Sequence, residues 1–432
     1  MKKWIRKLKE SLWLKPATIG LFSLLLAVLV GLLDSGRYIL LENFLPPMLM
    51  TSVELSRTIL GVIAGALITM TIFTFSTTMV VLTTYSSQFS PRVVKNFLMD
   101  ENTMRTLGVF LGGFIYSIMT LSYMRNDIHS SYVISAILGI LYILICLVYF
   151  LQYINHVSSF IQMNNLIDRL QREATQRIEE YLEFIRMGTP KDHGKEDSEN
   201  SHAFTYTLAA GSNGYLQLVD YKGLIKWADE NEWFVTIEKI PGSFVTDSTP
   251  IMTIHYHNNG GEKDEEWEKK LRSFFEIGKE HSEMQEYMYP IHKIEEIALR
   301  AISPGINDPN TAIHCLYIMG LLLSEVSATP SGRLMVETEG KLVAELELVE
   351  FKQVLYDVFY QIIHYGKEDL SVMVGLIRSL RIIYESASSE NREIIREFVE
   401  YLWIKIKPGD KPSFEKEWLN SERSKLNRAE GV

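Results

Sequence analysis

The stretch that decides the fold is Thr58–Pro91, TILGVIAGALITMTIFTFSTTMVVLTTYSSQFSP, 34 residues without one Asp, Glu, Lys or Arg. A charge-free apolar run of this length reads as a membrane helix. At 1.5 Å per residue it would reach roughly 50 Å, more than the ~30 Å hydrocarbon core, so its C-terminal part is expected to leave the bilayer or lie against protein. Three further apolar runs flank it. They predict a bundle of four spans at about 17–33, 58–85, 106–124 and 130–153. A signal peptide is the competing reading of the first run, but Asp34–Tyr38 offers no small-residue cleavage site.

Charge divides the chain at the same place. Residues 1–160 carry a net +5 and residues 161–432 a net −15. A basic, apolar front and an acidic, polar back describe a membrane anchor followed by a body outside the bilayer. The acidic body argues against nucleic acid as a partner, because phosphate binding needs a basic surface. Basic residues concentrate before the first span (Lys2, Lys3, Arg6, Lys7, Lys9, Lys15), in the second loop (Arg92, Lys95, Arg105) and after the fourth span. The positive-inside rule then places both termini in the cytosol, at a bacterial inner membrane. Two cysteines, Cys146 and Cys315, exclude a disulfide framework.

The body reads as α+β. Positions 161–202 form a membrane-proximal helix and a polar linker. Positions 203–257 form a small β module, with Tyr215–Val219, Trp233–Ile237 and Ile251–Tyr256 as strands and Pro241-Gly242 as a turn. Its turn spacing resembles the small barrel-sandwich modules of lipoyl-like and adaptor-protein domains, which predicts a barrel-like closure. No Lys sits at a lipoyl-type hairpin tip, so no prosthetic group or other cofactor is expected. A charged connector (258–289), a helical domain (290–406) and a polar tail (407–432) follow. Within the helical domain, Ser303-Pro304-Gly305-Ile306-Asn307-Asp308-Pro309 interrupts two helices. Pro304 and Gly305 suit a break, Asp308 an N-cap and Pro309 a first helical residue, so an architectural joint is expected.

Three stretches carry a family resemblance: Ser86-Ser87-Gln88-Phe89-Ser90-Pro91-Arg92, Gly214-Tyr215-Leu216-Gln217, and Ile297–Ala312 with its Ala-Leu-Arg-Ala and Ser-Pro-Gly-Ile-Asn-Asp-Pro segments. Together they resemble a family of bacterial predicted membrane proteins that carry a domain of unknown function. The likeness runs from about Trp13 to about residue 400. The family's Arg-Thr pair after Ile277-Gly278 is not matched, His281-Ser282 standing nearby instead. The resemblance implies topology and membrane location and brings no catalytic residue or ligand.

Chemistry candidates are few. His255 and His257 share a face of a strand, and His292, His314 and Cys315 lie near the helix joint, but neither group supplies a full metal shell. No nucleophile elbow, P-loop or zinc-protease pattern is present. The second helix is rich in hydroxyls. They suit either a packed helix interface or a polar path, with Thr71, Thr74 and Thr78 lining a pore and Ser90, Arg92 and Lys95 at its cytosolic mouth. Gly61 and Gly65 on that helix make a GxxxG pair, from which a homo-oligomer is expected. The function read from these features is a homo-oligomeric passive channel or transport-related protein. The alternative is a scaffold or sensor whose cytosolic body binds a ligand or partner, and a membrane-associated enzyme is third.

Overall fold

The computed structural model describes residues 14–35, 46, 50–88, 101–124, 132–160, 163–190, 204–256, 265–281 and 285–428. The chain divides into two compact units, Met1–Leu166 and Ile167–Val432.

In the first unit, α1 (Leu14–Asp34) precedes a two-residue strand β1 (Thr51–Ser52), α2 (Val53–Gln88), α3 (Glu101–Tyr123), β2 (Tyr132–Val133) and α4 (Ser135–Phe160). All four helices are long and apolar enough to cross a membrane. Helix α3 is the centre and packs against α1, α2 and α4. Its glycines permit this. A Cβ at Gly112 would lie 2.5 Å from Ser23 Oγ and 2.7 Å from Tyr142 Oη, and one at Gly108 would lie 3.0 Å from the Pro16 backbone. The outer faces carry Phe22, Val62, Ile72, Val80 and Leu151, all exposed, as helices bathed in lipid require. The chain is tied across one end of the bundle. The buried Asp34 carboxylate accepts from the Ile134 (2.9 Å) and Ser135 (3.3 Å) amides at the start of α4. Tyr116 donates to Ser135 O at 2.9 Å, Arg57 to Met124 O at 2.6 Å, and β1 pairs antiparallel with β2.

The second unit holds most of α5 (Met163–Ile185), then β3 (Thr189–Pro190), β4 (Phe204–Ala209), β5 (Gly214–Val219), α6 (Tyr221–Glu230), β6 (Phe234–Ile237), β7 (Phe244–Val245) and β8 (Pro250–Tyr256). There follow α7 (Glu265–Arg272), β9 (Phe275–Gly278), α8 (Met288–Ala301), α9 (Pro309–Val326), β10 (Arg333–Thr338) and β11 (Lys341–Glu347). Helices α10 (Phe351–Gly366), α11 (Leu370–Ser386), α12 (Ser389–Ile406) and α13 (Ser413–Arg428) complete it. The expected barrel is not formed. The sheet is open, with order β3-β10-β11-β6-β8-β4, and β7-β5-β9 make a separate three-stranded sheet. The reason lies in β10 and β11, which fall in the region expected to be wholly helical. β11 pairs in parallel with β6, so it extends that edge and the sheet does not curl back on itself. Both sheets share one apolar core, including Leu216, Val235, Ile254, Leu334 and Leu346, covered by Leu224 and Ala228 of α6. The helices pack beside it, α9 against α11 so closely that a Cβ at Gly320 would meet Ser379 Oγ at 2.5 Å.

Candidate functional site

A cavity of about 800 Å³ lies inside the second unit. Its wall is assembled from the end of α5, the β5–α6 junction, the Ile240–Ser243 turn, the start of α8 and the end of β11. Each piece is held by an identifiable contact. Gln285 pins the chain before α8 to β5, donating to Val219 O (2.9 Å) and accepting from Val219 N (2.8 Å). Asp220 caps α6 by accepting from Gly223 N at 3.0 Å. Gly242 adopts φ +95° and donates its N–H to Leu216 O, and a Cβ there would fall 2.6 Å from the Glu286 carboxyl carbon. Only glycine combines that backbone angle with that approach.

Four aromatic rings contribute to the lining, those of Tyr181, Phe184, Tyr221 and Tyr287. Tyr181 lies 4.5 Å from Tyr287, and Phe184 lies 4.4 Å from Tyr221, centroid to centroid. Tyr287 is 4% exposed. Tyr181, Tyr221 and Tyr287 all line the cavity. Burial raises all three phenols above their ordinary range, so they are neutral. Carboxylates ring them. Glu286 accepts from His281 at 3.0 Å, and Glu180 pairs with Arg177 at 2.7 Å. Glu347 has no hydrogen bond among the described residues, and burial raises its carboxyl against the pull of Lys239 and Arg333. His292, at the edge of the cavity, bonds Glu295 at 2.9 Å. Burial opposes charging of His292, but the bond and charge of Glu295, with Glu286 and Asp357, raise it overall. Glu295 is almost wholly buried, and its Oε1 has no hydrogen-bond partner among the described residues.

The residues singled out from sequence are placed elsewhere. Thr74 and Thr78 are buried in the α2–α4 seam, where the Thr78 and Tyr153 hydroxyls lie 2.8 Å apart and both reach the Thr74 carbonyl. Thr71 is half-buried and donates to Leu67 O at 2.8 Å. Ser90, Arg92 and Lys95 lie outside the described residues, as does His257. His255 meets Thr236 Oγ1 at 3.2 Å. Burial pushes the Cys315 thiol up to about 12, so it stays protonated. Among the described residues no His, Cys, Asp or Glu cluster of three could hold a metal. The joint after α8 is built as a cap. Asp308 accepts from Thr311 N (3.1 Å) and Thr311 Oγ1 (2.6 Å), Ser303 Oγ donates to Arg300 O, and Asn307 takes φ +50°. Pro304, Gly305, Ile306 and Asn307 are exposed.

The sequence pattern of one family matches residues 9–381, most of the chain. The chain belongs to the predicted membrane protein family DUF2254. As a DUF2254 protein it is a membrane protein, and its four apolar helices fit that description. Relatives include uncharacterized proteins of Mycobacterium tuberculosis and Mycobacterium bovis, each 25% identical over 349 residues, covering 78% of this chain. The match covers 66% of those proteins, just under two thirds of their length. No solved structure matches the chain. Reasoning from sequence missed every cavity tyrosine, because they come from three separated segments that meet only once the sheets form.

Proposed function

We propose that this DUF2254 protein is a membrane-anchored receptor, whose four helices hold a cytosolic body that binds a small organic molecule. The observation that carries this reading is the cavity of about 800 Å³ whose lining includes the rings of Tyr181, Phe184, Tyr221 and Tyr287 beside six carboxylates. Ligand sites are typically such concavities, mostly apolar, with a few polar groups that converge. The channel reading rests on Thr71, Thr74 and Thr78, and within one copy the last two are committed to the seam with α4. A pore would need further copies to supply its wall.

Two measurements separate the readings. Native mass spectrometry of the purified chain is expected to find a retained small molecule, absent from a Ser243→Trp variant in which the cavity is filled. Conductance recording in reconstituted bilayers is expected to give no current. Steady unitary currents that bulky substitutions at Thr74 abolish would reverse the preference in favour of the channel.

A further inference from the structure

We propose that the cavity selects a small organic ammonium ion, its N–H groups set against the Glu347 carboxylate and the Tyr221 and Tyr287 hydroxyls, its hydrocarbon against Tyr181 and Phe184. The inference rests on the receptor reading and names its ligand class.

The argument begins with charge. Six carboxylates line the cavity, those of Glu180, Glu183, Asp220, Glu286, Glu347 and Asp357. Several are already engaged: Glu180 with Arg177, Glu286 with His281, Asp220 with the α6 amide, and Asp357 with Gln353 at 2.6 Å. Among the described residues Glu347 makes no hydrogen bond, although the charges of Lys239 and Arg333 act on it, and it is half-buried at the end of β11. A carboxylate in that position repels anions and favours a cation that can donate to it. Neutral phenol oxygens can accept from N–H groups as well. Glu347 and Tyr221 both line this cavity. Aromatic faces complete the preference, since ring quadrupoles attract ammonium groups and cover hydrocarbon. The cationic residues in the lining do not reverse it. Arg177 is bound to Glu180, His292 to Glu295, and Lys222 is exposed.

The test uses three probes of one shape: benzylammonium, benzyl alcohol and benzoate. Each is titrated calorimetrically into the full chain in detergent micelles. Benzylammonium is expected to bind saturably at one site per chain, and the neutral and anionic probes at least about tenfold more weakly. Glu347→Gln, close to isosteric, is expected to weaken benzylammonium by about ten- to a hundredfold, the usual weight of a hydrogen bond to a charged group. Tyr221→Phe is expected to weaken it several-fold, and the surface variant Glu397→Gln to leave it unchanged. An unaltered thermal midpoint confirms that each variant is folded. Equal binding of benzyl alcohol, preference for benzoate, no binding of any probe, or an unaffected Glu347→Gln would each overturn the proposal. In those cases the mass spectrometry described above decides the receptor reading separately. A retained molecule that is not an ammonium ion leaves that reading standing while this one falls.

Discussion

Asp308 illustrates how a residue in a signature motif can be read by its bonds. Thr311 holds its carboxyl below the ordinary value, through its hydroxyl first and then its backbone N–H, as a helix cap does. Asp308→Ser should therefore keep stability within about 0.5 kcal/mol, whereas Asp308→Ala should cost about 1 kcal/mol. Asn307, at φ +50°, should tolerate Gly and lose about 1–2 kcal/mol with Val, both read by denaturant unfolding followed by tryptophan fluorescence. The pair His292–Glu295 behaves differently. Both groups have raised pKa values, so the folded state holds protons more tightly than the unfolded chain. The stabilisation from His292 is complete below about pH 6.5, where a free imidazole titrates, and is lost as pH rises through the folded value. Glu295 works in the same direction, because its buried carboxyl is costly once ionised. The thermal midpoint is expected to fall as pH rises above the ordinary imidazole range, and to fall less in Glu295→Gln. An identical slope in the variant would remove this pair as the cause.

At the scale of elements, two glycine pairs with the same spacing do different things. Gly108 and Gly112 of α3 sit in contact with α1, while nothing lies within 4 Å of a Cβ built at Gly61 or Gly65 of α2. Gly112→Leu should destabilise the bundle by about 1–3 kcal/mol, as overpacking does. Gly65→Leu should leave the chain folded but weaken association between copies, measured by light scattering in detergent. An unchanged mass for Gly65→Leu would assign that face to lipid. The GxxxG spacing of either pair is visible in the sequence, but which one a helix uses within the chain is not. The four membrane helices were legible because charge-free runs have few other solutions. The hairpin β10–β11 was missed, although its signal is present. Glu339 and Gly340 both take positive φ, the demand of a tight two-residue hairpin turn, after a strand, β10, with alternating burial. The barrel expectation failed at this hairpin, because turn spacing reveals strands and not the partners they choose.

For the whole molecule, the charge asymmetry yields a topology. With four spans and basic residues concentrated in alternate segments, both termini should lie in the cytosol. Reporter fusions should give a periplasmic signal at Asp127 and a cytosolic one after the last residue. A periplasmic C-terminus would move the cavity to the other compartment and change which molecules could reach it. The candidate site was the least legible part, since its lining spans residues 177–357 and has no local motif. Asp34 adds a constraint of timing. Its carboxylate is buried at 1% exposure, and the amides it binds are 100 and 101 residues further along the chain. While the ribosome is still making the first three helices, those amides do not exist, so these two bonds cannot form. The tie between the first helix and the fourth is therefore the last part of the bundle to close, after the start of α4 has been synthesised. A stalled nascent chain released before Ile134 should lack this tie, and one released after α4 should form it.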